Sequence, residues 1–168
     1  NRTSPLAFTG NKFEFRMLGS SVNIACPNFF MNTIMAEELC QFADELEQSD
    51  DFAGTLHAML KREIKNHKRI IFNGNNYTDD WVAEANRRGL LNLKTSVEAL
   101  ESYTKEKNIR LFGKHRVLSK EEVFSRRDIL LENYVKTINI EALTMLDMSK
   151  RSILPAVSGY VKTLADTI

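Results

Sequence analysis

The sequence contains few of the residues that mark specialised classes of protein. Only two cysteines and three prolines occur among 168 residues. Cys26 and Cys40 are too far apart for a close zinc-binding pair such as Cys-x-x-Cys, so we expect free thiols. No charged-then-apolar signal segment is seen at the N-terminus, which favours a cytoplasmic, reducing setting. The scarcity of proline and the absence of repeats or low-complexity tracts argue against a linker-rich chain.

The chain also lacks an excess of charge of either sign. Lysine and arginine total 23 against 22 for aspartate and glutamate, a formal net charge of +1. Such a balance provides no overall basic field for nucleic acid, and no apolar run reaches the roughly 18 residues of a membrane span. We therefore predict no nucleic-acid and no membrane partner. The 43% hydrophobic and 27% charged content is that of an ordinary globular domain.

What the sequence does contain is an alternating segment close to its beginning. After the turn-like Thr9-Gly10-Asn11, residues 12–17 place Lys12, Glu14 and Arg16 on one face of a predicted strand and apolar residues on the other. A solvated strand face commonly carries such charges for structural reasons. Alternatively, Glu14 binds a divalent metal and Arg16 an anionic substrate. The pattern alone leaves both interpretations open.

The rest of the chain is predicted to be helical, so the fold class is mainly α: a helical, bundle-like domain over residues 22–168, preceded by a short strand in residues 1–21. Apolar spacing and capping residues predict the helices. Their expected extents are Pro27 to Gln48, Phe52 to about His67, about Asp79 to Gly89, Ser96 to about Tyr103, about Val123 to Ser149 after the Ser119–Glu122 capping box, and Ile153 to Ile168.

Three further expectations concern the helical part. Residues 109–117 read as a linking segment, and the broad apolar stripe of residues 123–149 predicts the central core helix. Pro155 should kink the last helix or start a separate one. Basic residues from Lys61 to Arg69 suit the end of a helix, with phosphate binding as a minor alternative. His57 and His67 are interpreted as solvated or capping residues because no third ligand lies nearby in sequence.

Several short segments of the sequence resemble those of one enzyme family. Asn1-Arg2-Thr3-Ser4-Pro5 followed by Phe8-Thr9-Gly10-Asn11-Lys12-Phe13-Glu14-Phe15-Arg16-Met17 is similar to the end of the catalytic domain of glutamine synthetase, in the large type III bacterial form. The likeness continues through residues 66–75, 80–85, 132–134 and 137–145. It therefore spans nearly the whole chain, with residues 1–21 resembling a C-terminal remnant of the catalytic domain.

The resemblance implies a role for each charged residue of the strand. Glu14 would be a metal ligand and Arg16 would contact the glutamate substrate. Arg2 would lie near the nucleotide phosphates and the reacting carboxylate, as a catalytic, substrate-binding and nucleotide-binding residue. Lys12 stands where commoner forms carry arginine and would help to bind the nucleotide. Ala7 replaces a second arginine usually found five residues after Arg2.

The chemistry implied by the resemblance is ATP-dependent ligation of glutamate and ammonia through a γ-glutamyl phosphate, with Mg²⁺ or Mn²⁺, in a ring-shaped homo-oligomer. Glu14 is the only acidic residue in the first 36 positions. A phosphoryl-transfer site with several metal ions needs more carboxylates than one. We therefore expect the remaining ligands upstream in a longer protein and predict that this chain alone is inactive. The alternative function is a non-catalytic helical domain for oligomerisation or for binding a regulator.

Overall fold

A computed structural model describes residues 6–16, 19, 22–71, 73–75 and 77–167. The predicted fold class is confirmed: the chain is mainly helical, and a short strand precedes the helices. It forms two compact units, Asn1–Ser49 and Asp50–Ile168. The predicted domain boundary at residues 21–22 stays a prediction. Among the described residues, no helix is both long and apolar enough to cross a membrane.

The first unit contains a β-hairpin and one long helix. Strands β1 (Leu6–Phe8) and β2 (Phe13–Phe15) pair in antiparallel fashion. The turn between them is closed by the backbone N–H of Thr9, which donates to the carbonyl of Lys12 at 2.9 Å. Gly10 takes a φ of 95° there, in the left-handed region that suits glycine. Helix α1 follows at Ala25–Glu47.

The described residues of the second unit form helices and no strand, and three of these helices begin at a side-chain cap. Asp51 accepts a hydrogen bond from the N–H of Gly54. Complete capping boxes start two other helices, Thr95 with Glu98 and Ser119 with Glu122. The elements are α2 (Phe52–Asn66), a 3-10 turn (Lys68–Ile70), α3 (Asp79–Arg87), α4 (Ser96–Glu101), α5 (Glu106–Lys114), α6 (Lys120–Met148), a π-helical turn (Ser149–Ile153) and α7 (Leu154–Ala165).

The described core of this unit lies where α4 and α5 pack against the beginning of α6. Phe112 and Val123 are fully buried there, with Tyr103 and Leu118 beside them. The linking segment predicted over residues 109–117 is therefore wrong, because most of it is helix α5. Burial of Phe112 on one face of a short amphipathic helix stabilises that helix although its N-cap residue, Lys105, provides no side-chain bond.

The prediction that residues 123–149 form the central core helix is correct in length but wrong in burial. Val123 is the one buried residue of α6 among those described. Within the described part of the second unit, α4 and α5 are the only helices that pack on α6, and α7 packs on the π-helical turn alone. Large apolar side chains farther along, such as Val135 and Tyr160, are exposed by 63% and 65%.

The π-helical turn determines how the apolar positions of α6 and α7 line up. Before it, apolar residues alternate at spacings of four and three, and after it they resume the same rhythm. Met145 and Ile153 are eight residues apart, one more than two helical turns require. A turn with i→i+5 bonding accommodates one extra residue, so the two stripes share a face. The stripe consists of Leu131, Val135, Ile138, Ala142, Met145, Ile153, Val157, Tyr160 and Leu164.

The prediction that Pro155 kinks the last helix or starts a separate one is confirmed in its second form. The proline lies in the first turn of α7, directly after the π-helical turn, and its missing N–H removes one bond of a regular α-helical pattern at this point. Met148, Ser149, Ile153 and Leu154 all keep helical backbone angles. No loop separates α6 from α7, and the π-helical turn is where the hydrogen-bond pattern changes.

Candidate functional site

The charged residues predicted from the sequence lie at the second strand of the hairpin. Glu14 is the middle residue of β2, Lys12 precedes this strand, and Arg16 follows it. Because side chains alternate along a strand, Glu14 and Arg16 point to the same side. The Nη2 atom of Arg16 donates to Oε2 of Glu14 at 2.6 Å. The two side chains are 46% and 47% exposed, so solvent and ligands can reach them.

The surroundings of Glu14 keep its carboxylate ionised. The hydrogen bond from Arg16 lowers the pKa of Glu14 below its ordinary value, and the positive charges of Arg16 and Lys12 act in the same direction. The small loss of hydration at the site opposes them. In turn, Glu14 raises the pKa of Arg16. An ionised oxygen donor and a fixed guanidinium therefore lie side by side at neutral pH.

The hairpin register places Ala7 directly across from Glu14. From the resemblance, an arginine would be expected at this position. Cross-strand neighbours lie about 5 Å apart at Cβ, within reach of a long cationic side chain. Because residue 7 is alanine, the residue paired with Glu14 across the hairpin carries no charge. The cations near Glu14 are Lys12 and Arg16, which lie at the two ends of its own strand.

The described residues can supply one ligand to a metal ion but not a complete metal site. Glu14 offers the hard oxygen donor that Mg²⁺ or Mn²⁺ prefers, and one of its two oxygens is hydrogen-bonded by Arg16. In the described part of the chain, no group of three or more His, Cys, Asp or Glu side chains is arranged to hold a metal ion. Arg2, predicted to lie near the phosphates, falls outside the described residues.

A second carboxylate–arginine cluster was not predicted. Glu84 on α3 accepts hydrogen bonds from Arg87 at 2.6 Å, through both of its oxygens, and from Arg88. These two arginines lower the pKa of Glu84 to about 2. The spacings of three and four residues are those at which helical side chains meet, and this signal was available in the sequence.

Arg88 also stabilises the connection that precedes α3. Its Nη1 atom donates to the carbonyls of Arg69 and Ile71, at 3.2 and 3.0 Å. Its guanidinium carbon lies 5.4 Å from the ring centroid of Trp81, a cation–π distance. The longer-range contacts were not visible in the sequence because their partners are backbone carbonyls 17 and 19 residues away.

An exposed carboxylate–arginine pair on a hairpin occurs in many kinds of protein, so its geometry does not identify the protein family. Comparison with known proteins does. The family model for the glutamine synthetase C-terminal domain matches residues 55–168, which is more than half of the chain. The chain therefore belongs to the glutamine synthetase family.

Curated relatives extend the similarity over the hairpin as well. The chain is 41% identical over 171 residues to a type-3 glutamine synthetase of Dictyostelium discoideum, and 39% and 35% identical to glutamine synthetases of Butyrivibrio fibrisolvens and Bacteroides fragilis. Each alignment covers all of this chain but only 23% to 24% of the relative. The chain thus spans about a quarter of the length of these proteins.

Proposed function

We propose that this chain is part of an ATP-dependent ligase that makes glutamine from glutamate and ammonia. The observation that carries the proposal is the contact of an ionised Glu14 with Arg16 on β2, in a chain whose relatives are named glutamine synthetases. A carboxylate and a guanidinium on one strand face offer a metal oxygen ligand and an anion-binding group within the same small area.

The reaction has two steps. An oxygen of the glutamate side-chain carboxylate attacks the γ-phosphorus of ATP, and ADP leaves. Ammonia then attacks the acyl carbon of the γ-glutamyl phosphate, phosphate leaves with the bonding electrons, and the nitrogen loses a proton to give the amide. Both steps gather negative oxygens in one place, so fixed positive groups lower the barrier.

Each charged residue receives a role in this proposal. Glu14 supplies one oxygen ligand to Mg²⁺ or Mn²⁺, whose positive charge would offset that of the phosphates. Arg16 binds a carboxylate of the glutamate substrate and holds it in position for attack. Lys12 and Arg2 interact with the nucleotide phosphates, and Arg2 also lies near the reacting carboxylate. In the second step these cations continue to neutralise the departing phosphate.

The isolated chain is proposed to be inactive. One carboxylate cannot complete the coordination of a hard cation, which takes six or more oxygen ligands including water. Since the chain spans about a quarter of the length of its relatives, the other ligands and the nucleotide pocket are proposed to come from the rest of a longer protein. A cytoplasmic location and assembly into a homo-oligomeric ring form part of the same proposal.

A second function is favoured by a separate observation. The apolar stripe from Leu131 to Leu164 lies on a helical segment whose large side chains are mostly about half exposed. Apolar faces of this extent commonly mark sites of association. The helical part of the chain is therefore proposed, as an alternative or an addition, to serve in oligomerisation or in binding a regulatory protein.

The complete protein that contains this chain provides the test. Glutamine formation from glutamate, ammonia and ATP would be measured with Mg²⁺ or Mn²⁺, for the unchanged protein and for Glu14→Ala. Loss of a metal ligand in a phosphoryl-transfer site should lower kcat by about a hundredfold or more, on the scale of a lost transition-state charge interaction. Glu132→Ala is the matched control, because Glu132 is an exposed glutamate in an ion pair with Lys136.

Three outcomes separate the possibilities. An active parent protein that loses activity with Glu14→Ala but not with Glu132→Ala supports both the ligase and the role of Glu14. An active parent that is indifferent to Glu14→Ala keeps the enzyme but rejects the metal role. A folded parent without glutamine-forming activity would favour the non-catalytic alternative.

A further inference from the structure

We propose that the second unit contains a binding site for a small ligand with two or more adjacent phosphate groups. The site is a groove of about 790 Å³ formed by α2, the 3-10 turn and α3, and we call it the basic groove. Its volume is in the range of small-molecule sites. Six of the residues that line it are cationic: Lys61, Lys65, Lys68, Arg69, Arg87 and Arg88.

The cations of the basic groove come from α2, the 3-10 turn and α3. Lys61 and Lys65 are four residues apart on α2, and Lys68 follows after three more. Side chains at these helical spacings are neighbours. Lys61 and Lys65 are therefore neighbours on α2, while Lys68 on the 3-10 turn and Arg87 and Arg88 at the end of α3 line the same groove.

The protein neutralises only part of the positive charge of the basic groove. No carboxylate lines it, and the nearby Glu84 is already shared between Arg87 and Arg88. Among the residues that the structure describes, Lys61, Lys65, Lys68 and Arg69 take part in no ion pair. The chain as a whole has a net charge of only +1, so this concentration of cations is local.

Concentrating these cations costs stability, since like charges at helical i,i+4 spacing repel each other. The dipole at the end of α2 favours Lys65, which lies in the last turn. It does not account for Lys61, which lies more than one turn before the helix ends at Asn66, because the effect is confined to the last turn. A bound polyanion would offset the repulsion among these cations.

One cation of the basic groove, Arg88, is preorganised. Arg88 is held by Glu84, by two backbone carbonyls and by the ring of Trp81, so its guanidinium does not have to be ordered when a ligand binds. Ile64 and Ile71 also line the groove, and they are 63% and 50% exposed. A ligand with phosphates next to a flat, weakly polar group, such as a nucleoside triphosphate, matches this combination of cations and apolar surface.

Isothermal titration calorimetry on the full 168-residue chain tests the proposal, with inorganic tripolyphosphate, ATP and adenosine as probes. We expect tripolyphosphate and ATP to bind and the affinity to fall as salt is raised, because the contacts are with phosphates. Tighter binding of ATP than of tripolyphosphate would indicate that Ile64 and Ile71 contact the base. Binding of adenosine alone, or of oligoglutamate in preference to tripolyphosphate, would overturn the proposal.

Substitutions of lysines that line the basic groove test whether the phosphates bind there. Lys65→Gln should weaken tripolyphosphate binding by about two- to fivefold, the scale of one exposed charge contact, and Lys61→Gln should do the same. Lys107→Gln is the matched control, since Lys107 is an exposed lysine on α5 outside the groove. Circular dichroism verifies that all variants keep their helices. Unchanged affinity in both groove variants, or an equal loss in Lys107→Gln, would reject the basic groove as the site.

Discussion

Glu14 and Glu84 are both exposed carboxylates beside arginine, yet their surroundings differ in a way that separates a ligand from a structural group. Glu84 lies on a helix, where Arg87 and Arg88 bind both of its oxygens. Glu14 lies on a two-stranded hairpin, where Arg16 binds one oxygen and Ala7 occupies the position across the sheet. Both oxygens of Glu84 are therefore engaged by protein donors, whereas the described part of the chain engages only Oε2 of Glu14 and leaves its other oxygen for another partner.

The difference follows from the geometry of the two elements. On a helix, positions three and four residues away lie on the same side, so one carboxylate can meet two cations of its own segment. On a strand, only alternate residues share a face, and a short hairpin adds a single cross-strand neighbour. A carboxylate on a hairpin is thus easier to leave available for a metal or a substrate than one on a helix.

After the loss expected for Glu14→Ala, the largest effect that would sharpen this comparison is expected for a substitution of Arg16. In the complete protein, Arg16→Ala should lower kcat/KM for glutamate by about 10- to 100-fold, since a charge-assisted hydrogen bond to a substrate carboxylate contributes about 1.5–3 kcal/mol. Steady-state kinetics with varied glutamate provides the measurement. Arg151→Ala is the control, since Arg151 is an exposed arginine in an ion pair with Asp147, and it should leave kcat/KM within about twofold. Equal losses in the two variants would show that the effect is not specific to the arginine beside Glu14.

A smaller effect is expected on the stability of the helical unit. Arg88→Ala should lower the free energy of unfolding by about 1–3 kcal/mol, because two backbone carbonyls and Glu84 lose a donor. Arg87→Ala should have a much smaller effect, because the Arg87 side chain is 73% exposed and both of its hydrogen bonds are with Glu84. Urea unfolding of the 168-residue chain followed by circular dichroism compares them. A larger loss for Arg87→Ala would show that the longer-range contacts of Arg88 are unimportant.

The smallest effect is a pH dependence that belongs to Glu84. Its pKa is lowered from 4.5 to about 2, so its ionised form stabilises the folded state above pH 4.5, and this contribution is lost as the pH falls towards 2. The melting temperatures of the unchanged chain and of Glu84→Gln should therefore differ at pH 7 and converge between pH 4.5 and about 2. A difference that stays constant across this interval would exclude the ionisation of Glu84 as its cause.

Features set by neighbouring residues could be predicted from the sequence, and features set by distant contacts could not. The capping box of Ser119 and Glu122 and the cap at Asp51 were both found because all of their atoms belong to one helical turn. Helix α5 was missed because its stability depends on the burial of Phe112 against other helices. At the hairpin, the Glu14–Arg16 contact followed from strand alternation, but the pairing of residue 7 with Glu14 required the register.

Burial of the long helix was misjudged for a related reason. The apolar stripe of the helix could be predicted from the sequence, but a stripe does not show which element covers it. Among the described residues, only α4 and α5 pack on this helix, at its beginning. The basic groove illustrates the same limit. The run from Lys61 to Arg69 was visible in the sequence, whereas the approach of Arg87 and Arg88 from α3 depended on the path of the chain between the helices.

The π-helical turn has a consequence for how insertions and deletions act in this part of the chain. Since the turn accommodates one extra residue, removing a single residue from Ser149–Ile153 should restore regular α-helix, with Met145 and Ile153 seven residues apart instead of eight. Seven residues make about two helical turns, so the residues from Ile153 to Leu164 would stay on the face that Leu131 to Met145 occupy. The same deletion within the regular part of α6 or α7 would instead rotate everything beyond it by about 100° and divide the stripe between two faces.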